Sequence, residues 1–415
     1  MMKKIMDFMT NKFAPKVNKI VKNPWVASIQ DSIMTALPLV FVGSIVTVFS
    51  LLNNVFDNLP DFSRISDFSF GMFGLVVSFL ISYYLMEKKG NDLKLITGAT
   101  GLVLFMMLLY PTVTAGGDVT FILERFGATG MFLAIVTGLF VGCVMNFAAK
   151  RSFFDEDTPI PDFVVGWFNS LLPITFLLLV GWFITVQLNI DFFEIIIYIF
   201  SPLAAIVQSY PGFVLSVFIP AFLYTFGISG WVMMPAIYPV YMAGLAENIQ
   251  ATANGQEATN IATQETIYAF SSLGGIGTTL ALAFMMLILS KSAQLKAIGK
   301  AVFIPSIFNI NEPLMFGAPV AFNPYLMVPM WINEIIVPSI AYFVMSIGVV
   351  NIPTQSFLLW YIPYPIASYL ATQDWRAIII AFAIFVVTWI VFLPFFKAYD
   401  NSLLKKEAQE AEVGE

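Results

Sequence analysis

Histidine does not occur in the 415 residues, and cysteine occurs once, as Cys143. The first absence removes the commonest metal ligand and the side chain best suited to shuttling protons near neutral pH. The second rules out an internal disulfide and a cysteine-based metal site. Charge is scarce too: 11% of residues are charged, whereas soluble domains carry roughly 25%. Neither a dinucleotide fingerprint nor a Walker-type phosphate loop is present, so ATP-driven transport by this chain alone is excluded. No metal, no other cofactor and no nucleic-acid partner is expected.

What the chain has in abundance is apolar length. Hydrophobic residues make up 59%, and the mean hydropathy is +0.83. Runs long enough to cross a bilayer, about 20 residues each, recur throughout, and none has the form of a removable signal. The expectation is an all-α polytopic membrane protein. Spans are predicted near 32–52, 70–86, 95–111, 128–149, 171–188, 203–225, 231–243, 267–290, 326–350 and 377–396, with broken apolar stretches at 301–325 and 355–372. That makes about ten transmembrane helices plus one or two re-entrant segments.

Orientation follows from Lys and Arg. Lys3, Lys4, Lys12, Lys16, Lys19 and Lys22, then Lys88, Lys89 and Lys94, Lys150 and Arg151, Lys291, Lys296 and Lys300, and Lys397, Lys405 and Lys406 can all share one side. These are 17 of the 20 basic residues; Arg64, Arg125 and Arg376 remain for the other side. Both termini are therefore expected in the cytoplasm. Residues 1–31 mix the first six lysines with apolar positions, as either an interfacial segment or a basic flank that sets topology. Loops are expected at 53–69 and 112–125. The acids Asp155, Glu156, Asp157 and Asp162, near Pro159 and Pro161, read as a solvated linker between two halves. The Ala/Thr/Asn/Gln-rich stretch Gly244–Thr266, with Glu247, Glu257 and Glu265, reads as a solvated connector. The acidic end of the chain, 401–415, reads as a tail.

One stretch does not belong in an ordinary span. Asn309 to Pro324 places Glu312, three Asn, three Pro and a Gly within sixteen residues. Pro313, Pro319 and Pro324 each remove a backbone donor. Broken backbone at membrane depth is tolerated only when buried in protein or lining a wet cavity. A carboxylate there costs about 2.5–3.5 kcal/mol even on the lenient insertion scale. The segment is read as a re-entrant loop carrying a polar substrate site.

Other unusual features cluster in the same half. Gly227-Ile228-Ser229-Gly230 allows the backbone to bend or approach a ligand. Gly274-Gly275-Ile276-Gly277-Thr278-Thr279 suits close helix packing. Glu334 reads as a border residue with its carboxylate in water. Leu359-Trp360-Tyr361-Ile362-Pro363-Tyr364-Pro365 is aromatic and Pro-rich. Carboxylates and amides accept hydroxyl hydrogen bonds, and an aromatic face covers the C–H face of a sugar ring. Sugar stacking and ordinary packing are both open for Trp360. For Trp25, Trp167, Trp182, Trp331 and Trp389 the interfacial belt or packing is expected.

Phe308-Asn309-Ile310-Asn311-Glu312-Pro313-Leu314-Met315-Phe316-Gly317, followed by Asn323-Pro324, resembles the lactose/cellobiose/diacetylchitobiose family of enzyme IIC permeases of the bacterial phosphotransferase system. The likeness extends to Lys22-Asn23-Pro24, Ile160-Pro161-Asp162, Gly274-Gly275, Ser290-Lys291-Ser292, Asp374-Trp375-Arg376 and Pro394-Phe395-Phe396-Lys397. The resemblance implies a homodimer in the bacterial cytoplasmic membrane, with ten spans and two re-entrant hairpins per subunit. It implies a dimerisation half, 32–190, and a sugar-transport half, 191–400. Glu312 would contact the sugar hydroxyl to be phosphorylated, as base or orienter, with Asn309, Asn311, Ser229, Gly230 and Trp360 around the sugar. A separate phosphorylated IIB, charged upstream by IIA, would deliver the phosphoryl group, and the permease would have no phosphoryl-accepting residue of its own. Two departures stand out. Ser229 occupies the place of the family's histidine, and Leu359-Trp360-Tyr361-Ile362-Pro363 replaces Pro-Trp-Thr-Thr-Pro. They keep open a non-phosphorylating sugar carrier or sensor. An ion-coupled secondary transporter using Glu312 and Glu334 is a further alternative.

Overall fold

The structure is a computed structural model and describes residues 8–52, 60, 62–114, 116–151, 161–317 and 320–413. Lys3, Lys4, residues 53–59 and 61 of the loop expected at 53–69, Asp155, Glu156, Asp157, Pro159, Ile160 and Pro319 lie outside the described residues. The architecture is α-helical, with one small antiparallel pair, β1 (Thr112–Val113) and β2 (Val119–Thr120), in the loop expected at 112–125. Among the described residues the α-helices of six residues or more are α1 (Ala14–Val21), α2 (Pro24–Leu52), α3 (Phe73–Lys88), α4 (Lys94–Leu108), α5 (Met131–Ala149), α6 (Asp162–Trp182), α7 (Phe192–Gln208), α8 (Tyr210–Tyr224), α9 (Met234–Ala253), α10 (Leu280–Ile288), α11 (Ala293–Ile307), α12 (Glu312–Gly317), α13 (Pro324–Ser346), α14 (Ile366–Thr372) and α15 (Arg376–Val413). Among the described residues, six helical stretches are long and apolar enough to cross a membrane, or seven if α7 and α8 form one broken span.

Two predicted spans are broken instead. Residues 203–225 divide at Ser209, whose Oγ accepts the Gly212 N–H at 3.2 Å, while Pro211 sits in the first turn of α8. Serine at the cap and proline just inside form a helix-start signal, hidden here because apolar residues continue on both sides. Residues 267–290 divide at Gly274–Thr279, and only α10 remains as a regular helix.

The chain forms two compact units. The first comprises 20–205 and 238–247; the second comprises 1–19, 206–237 and 248–415. In the first unit, α3, α4 and α5 pack through Phe73, Val77, Ile81, Leu85, Leu104 and Phe105, all at most 1% exposed. Glycine permits the close approach: a Cβ on Gly138 would lie 2.7 Å from Ile81 Cβ, and one on Gly142 would lie 2.6 Å from Leu85 Cδ2. Ser82 Oγ donates to Gly138 O at 3.1 Å across the same contact. This is the small-residue packing of membrane helices. Arg125 pins the unit's connecting loops, donating to Leu109 O (3.1 Å), Asp191 Oδ2 (2.8 Å) and Glu194 Oε1 (3.0 Å).

The second unit packs α10, α11, α13 and α15 around Met285, Met286, Leu314, Met315, Met330, Phe392 and Phe396. Of the stretch read as a tail, residues 401–413 are helical and continue α15, which has 38 residues, about 57 Å at 1.5 Å per residue. Its Asp400 carboxylate accepts the Lys291 N–H (3.0 Å), the Ser292 N–H (2.9 Å) and Ser290 Oγ–H (3.1 Å). Glu407 accepts Ser292 Oγ–H (2.6 Å) and the Gln294 N–H (3.1 Å). Those bonds satisfy donors at the start of α11 that a helix leaves free.

Candidate functional site

The Asn309–Pro324 segment leaves α11 through a tight turn. Asn309 adopts φ +60°, a left-handed conformation that asparagine tolerates better than most residues. Pro313 then falls in the first turn of α12 and Pro324 at the first position of α13. There a missing N–H leaves no bond broken, so these two prolines start helices rather than interrupting them. Asn323 completes the start of α13, its Oδ1 accepting the Tyr325 N–H at 3.1 Å.

The two asparagines before Glu312 are buried, 8% and 3% exposed, and their amides are engaged with protein. Asn309 Oδ1 accepts the Gly274 N–H at 3.0 Å, and its Nδ2 donates to Trp360 O (2.7 Å) and Ile362 O (3.1 Å). Asn311 Nδ2 donates to Ile276 O (2.6 Å) and Thr279 Oγ1 (3.2 Å). The structure therefore assigns these side chains to holding two loops in place. Glu312 itself is exposed, within electrostatic reach of Tyr224.

The Gly274–Thr279 segment does not pack as a helix. Gly274, Gly275 and Gly277 have φ of +77°, +96° and +97°, and Thr278 has +49°. These values favour glycine, and a Cβ on Gly275 would lie 2.5 Å from Asn311 Cγ. The loop closes on itself through Leu280 N–H to Leu273 O (3.0 Å) and Thr279 Oγ1–H to Gly274 O (2.8 Å). Glu334, for which a watery border is one of the readings, is 1% exposed and lies within electrostatic reach of the Gly277 backbone. Met330, one turn earlier on α13, occupies the space a Gly277 side chain would need.

Ser229 and Gly230 adjoin the same loop. Ser229 is exposed, and its Oγ accepts the Trp231 N–H at 3.4 Å. A Cβ on Gly230 would lie 2.6 Å from Ile276 Cδ1. Phe322 N–H donates to Thr225 O at 2.9 Å, which joins the segment after α8 to the end of the Asn309–Pro324 stretch. Trp360 is half-buried, with its ring 5.8 Å from Tyr361 in an edge arrangement. The structure thus gathers Ser229, Gly230, Asn309, Asn311 and, through its backbone carbonyl, Trp360 around the glycine loop, with Glu312 directly following Asn311. Trp331 takes the packing role expected of it, lying against Phe222 and Phe226 and donating to Thr225 Oγ1 at 3.1 Å.

Two buried groups escaped the sequence reading of Gly244–Thr266 as a solvated connector. Residues through Ala253 belong to α9, and Asn248 (1% exposed) donates to Asn260 O and Pro353 O while accepting the Asn260 N–H. Glu265, 0% exposed, accepts the Phe357 N–H at 3.2 Å. Their partners in the Pro353–Phe357 stretch lie about a hundred residues away, and the local composition carries no trace of them.

The family model described as "Phosphotransferase system, EIIC" matches residues 30–333. A Bacillus subtilis oligo-beta-mannoside-specific EIIC component is 27% identical, across 99% of this chain and 97% of its own length. The lactose-specific EIICB component of Lacticaseibacillus casei is 26% identical, across 98% of this chain and 73% of its own length. The crystal structure of the IIC component from an N,N'-diacetylchitobiose-specific phosphotransferase system superposes with a TM-score of 0.87. It covers 97% of this chain and 99% of that one at 24% identity, a likeness of fold.

Proposed function

The chain belongs to the phosphotransferase-system EIIC family, and we propose that it imports a disaccharide of the cellobiose, lactose or diacetylchitobiose kind while a separate phosphorylated IIB phosphorylates it. It is the membrane permease component of a sugar phosphotransferase system. The observation that carries the proposal is Glu312. It is an exposed carboxylate at a break between helices, with the two preceding asparagines locked onto neighbouring loops. A carboxylate held in that way accepts the proton of the attacking sugar hydroxyl, or orients that hydroxyl, as the phosphoryl group arrives. Ser229, Gly230 and Trp360 line the sugar. Asn309 and Asn311, called sugar ligands from the resemblance, act by fixing the loops that bear the ligands.

In the same proposal the protein is a homodimer of subunits with about ten spans and two re-entrant hairpins, both termini cytoplasmic. Residues 32–190 form the dimerisation half and 191–400 the sugar half. IIA supplies the phosphoryl group to IIB. The lactose relatives, named EIICB, combine C and B components in their names, which supports a IIB partner here.

The test is uptake of labelled disaccharides into vesicles with and without phosphorylated IIB, scoring sugar phosphate. Product that requires both IIB and Glu312 supports the proposal. Uptake of free sugar that is indifferent to IIB supports the uncoupled carrier instead, the reading that Ser229 in place of histidine favours.

A further inference from the structure

Glu265 has no part in the chemistry proposed above, yet it is fully buried on the short turn Gln264–Thr266. Its Oε1 accepts the Phe357 N–H, while Oε2 is buried without a partner among the described residues. Burying a carboxylate is expensive, and an apolar side chain of similar size is often the more stable choice. Packing therefore does not account for it.

What Glu265 holds is the irregular segment 350–365, which carries Trp360. This stretch has little secondary structure of its own, so its buried backbone groups need partners from elsewhere. Three buried polar side chains supply them from three elements. Asn248 on α9 holds Pro353 O, Glu265 holds Phe357 N–H, and Asn309 after α11 holds Trp360 O and Ile362 O. The Glu265 bond lies three residues before Trp360, at the head of the buried run Phe357-Leu358-Leu359. Removing it frees the segment between its Asn248 and Asn309 anchors.

We propose that Glu265 is a positioning residue of the sugar site: by fixing Phe357 it sets the Trp360 ring, and so governs sugar affinity rather than phosphoryl transfer. The inference rests on the reading of Trp360 as a wall of the sugar site.

The test measures KM and maximal rate of IIB-dependent sugar phosphorylation. Glu265→Gln keeps an acceptor oxygen and is expected to stay within about twofold of the parent. Glu265→Leu is expected to raise KM about five- to tenfold with the maximal rate nearly unchanged, as loss of ground-state positioning does. In a Trp360→Ala background the same Glu265→Leu change adds nothing, because coupled residues are non-additive. If Glu265→Leu yields no folded protein, Glu265→Asp, which withdraws the acceptor by one methylene, takes its place with the same expectation. A lowered maximal rate at unchanged KM, or an equal effect in both backgrounds, overturns the proposal. A KM raised by Trp360→Ala but untouched by Glu265→Leu overturns it alone. A KM indifferent to Trp360→Ala overturns the sugar-wall reading and this proposal with it.

Discussion

Two groups of glycines, one in each unit, work in opposite ways. In the first, Gly138 and Gly142 lie inside a regular helix and matter for the side chain they omit, which lets α3 and α5 approach. In the second, Gly274, Gly275 and Gly277 leave the helix for positive φ and matter for the backbone they bend, which brings N–H and C=O groups to Asn309 and Asn311. The first arrangement makes a rigid stack of helices. The second makes a loop whose peptide groups are met by asparagine side chains, because interrupted helices are tolerated at membrane depth only where something satisfies their backbone. One residue type thus serves a helix contact at Gly138 and Gly142 and a bent loop at Gly274, Gly275 and Gly277.

The sharpest test of that contrast is Glu312→Gln. It is expected to cut IIB-dependent phosphorylation by about 10³-fold, in the range of a lost general base, with the unfolding temperature unchanged. Next comes Gly275→Ala, which imposes both a contact with Asn311 and a strained φ, at a cost of about 2–4 kcal/mol. Sugar binding and unfolding temperature should fall together. Asn309→Asp keeps the acceptor for Gly274 but loses both donations to the Trp360 segment, costing about 1–3 kcal/mol. It should show as a raised KM. Gly138→Ala overpacks the first unit by about 1–3 kcal/mol, lowering the unfolding temperature while KM stays constant. A shifted KM there would break the comparison.

The smallest effect concerns Asp374, ahead of α15. Burial works against its charge, but the Arg376 guanidinium and the N–H groups of Arg376 and Asn351 outweigh burial and hold the carboxyl below its ordinary pKa. A depressed carboxyl contributes stability above its unfolded pKa, about 3.9 for aspartate, and loses it as pH falls through the lower folded value. Asp374→Asn should therefore be less stable than the parent at pH 7. The gap between their unfolding temperatures should close as pH drops below about 4.

Much of this was legible in the residues. The apolar runs announce the long helices, and the polar Asn309–Pro324 stretch stands out against them. What escaped did so for physical reasons. Ser209 breaks a helix within the short stretch Gln208-Ser209-Tyr210-Pro211-Gly212, and the apolar residues on both sides outweigh that dip over a span-length window. Three glycines in a row of small residues suit a tight helix contact and a left-handed loop equally, and only the asparagines more than thirty residues later decide between them. Asn248 and Glu265 are buried by distant partners, whereas their polar neighbours in sequence suggest exposure; Glu334 lies in an apolar run that suits a membrane border and a buried interior equally.

The Asn309 side chain has one more consequence. Its single amide group bonds the glycine loop on one side and the Trp360 segment on the other, so neither loop can open far without releasing it. Local openings of the two are thereby thermodynamically coupled, and backbone amide hydrogens in both should exchange with solvent at matched rates, as one cooperative unit.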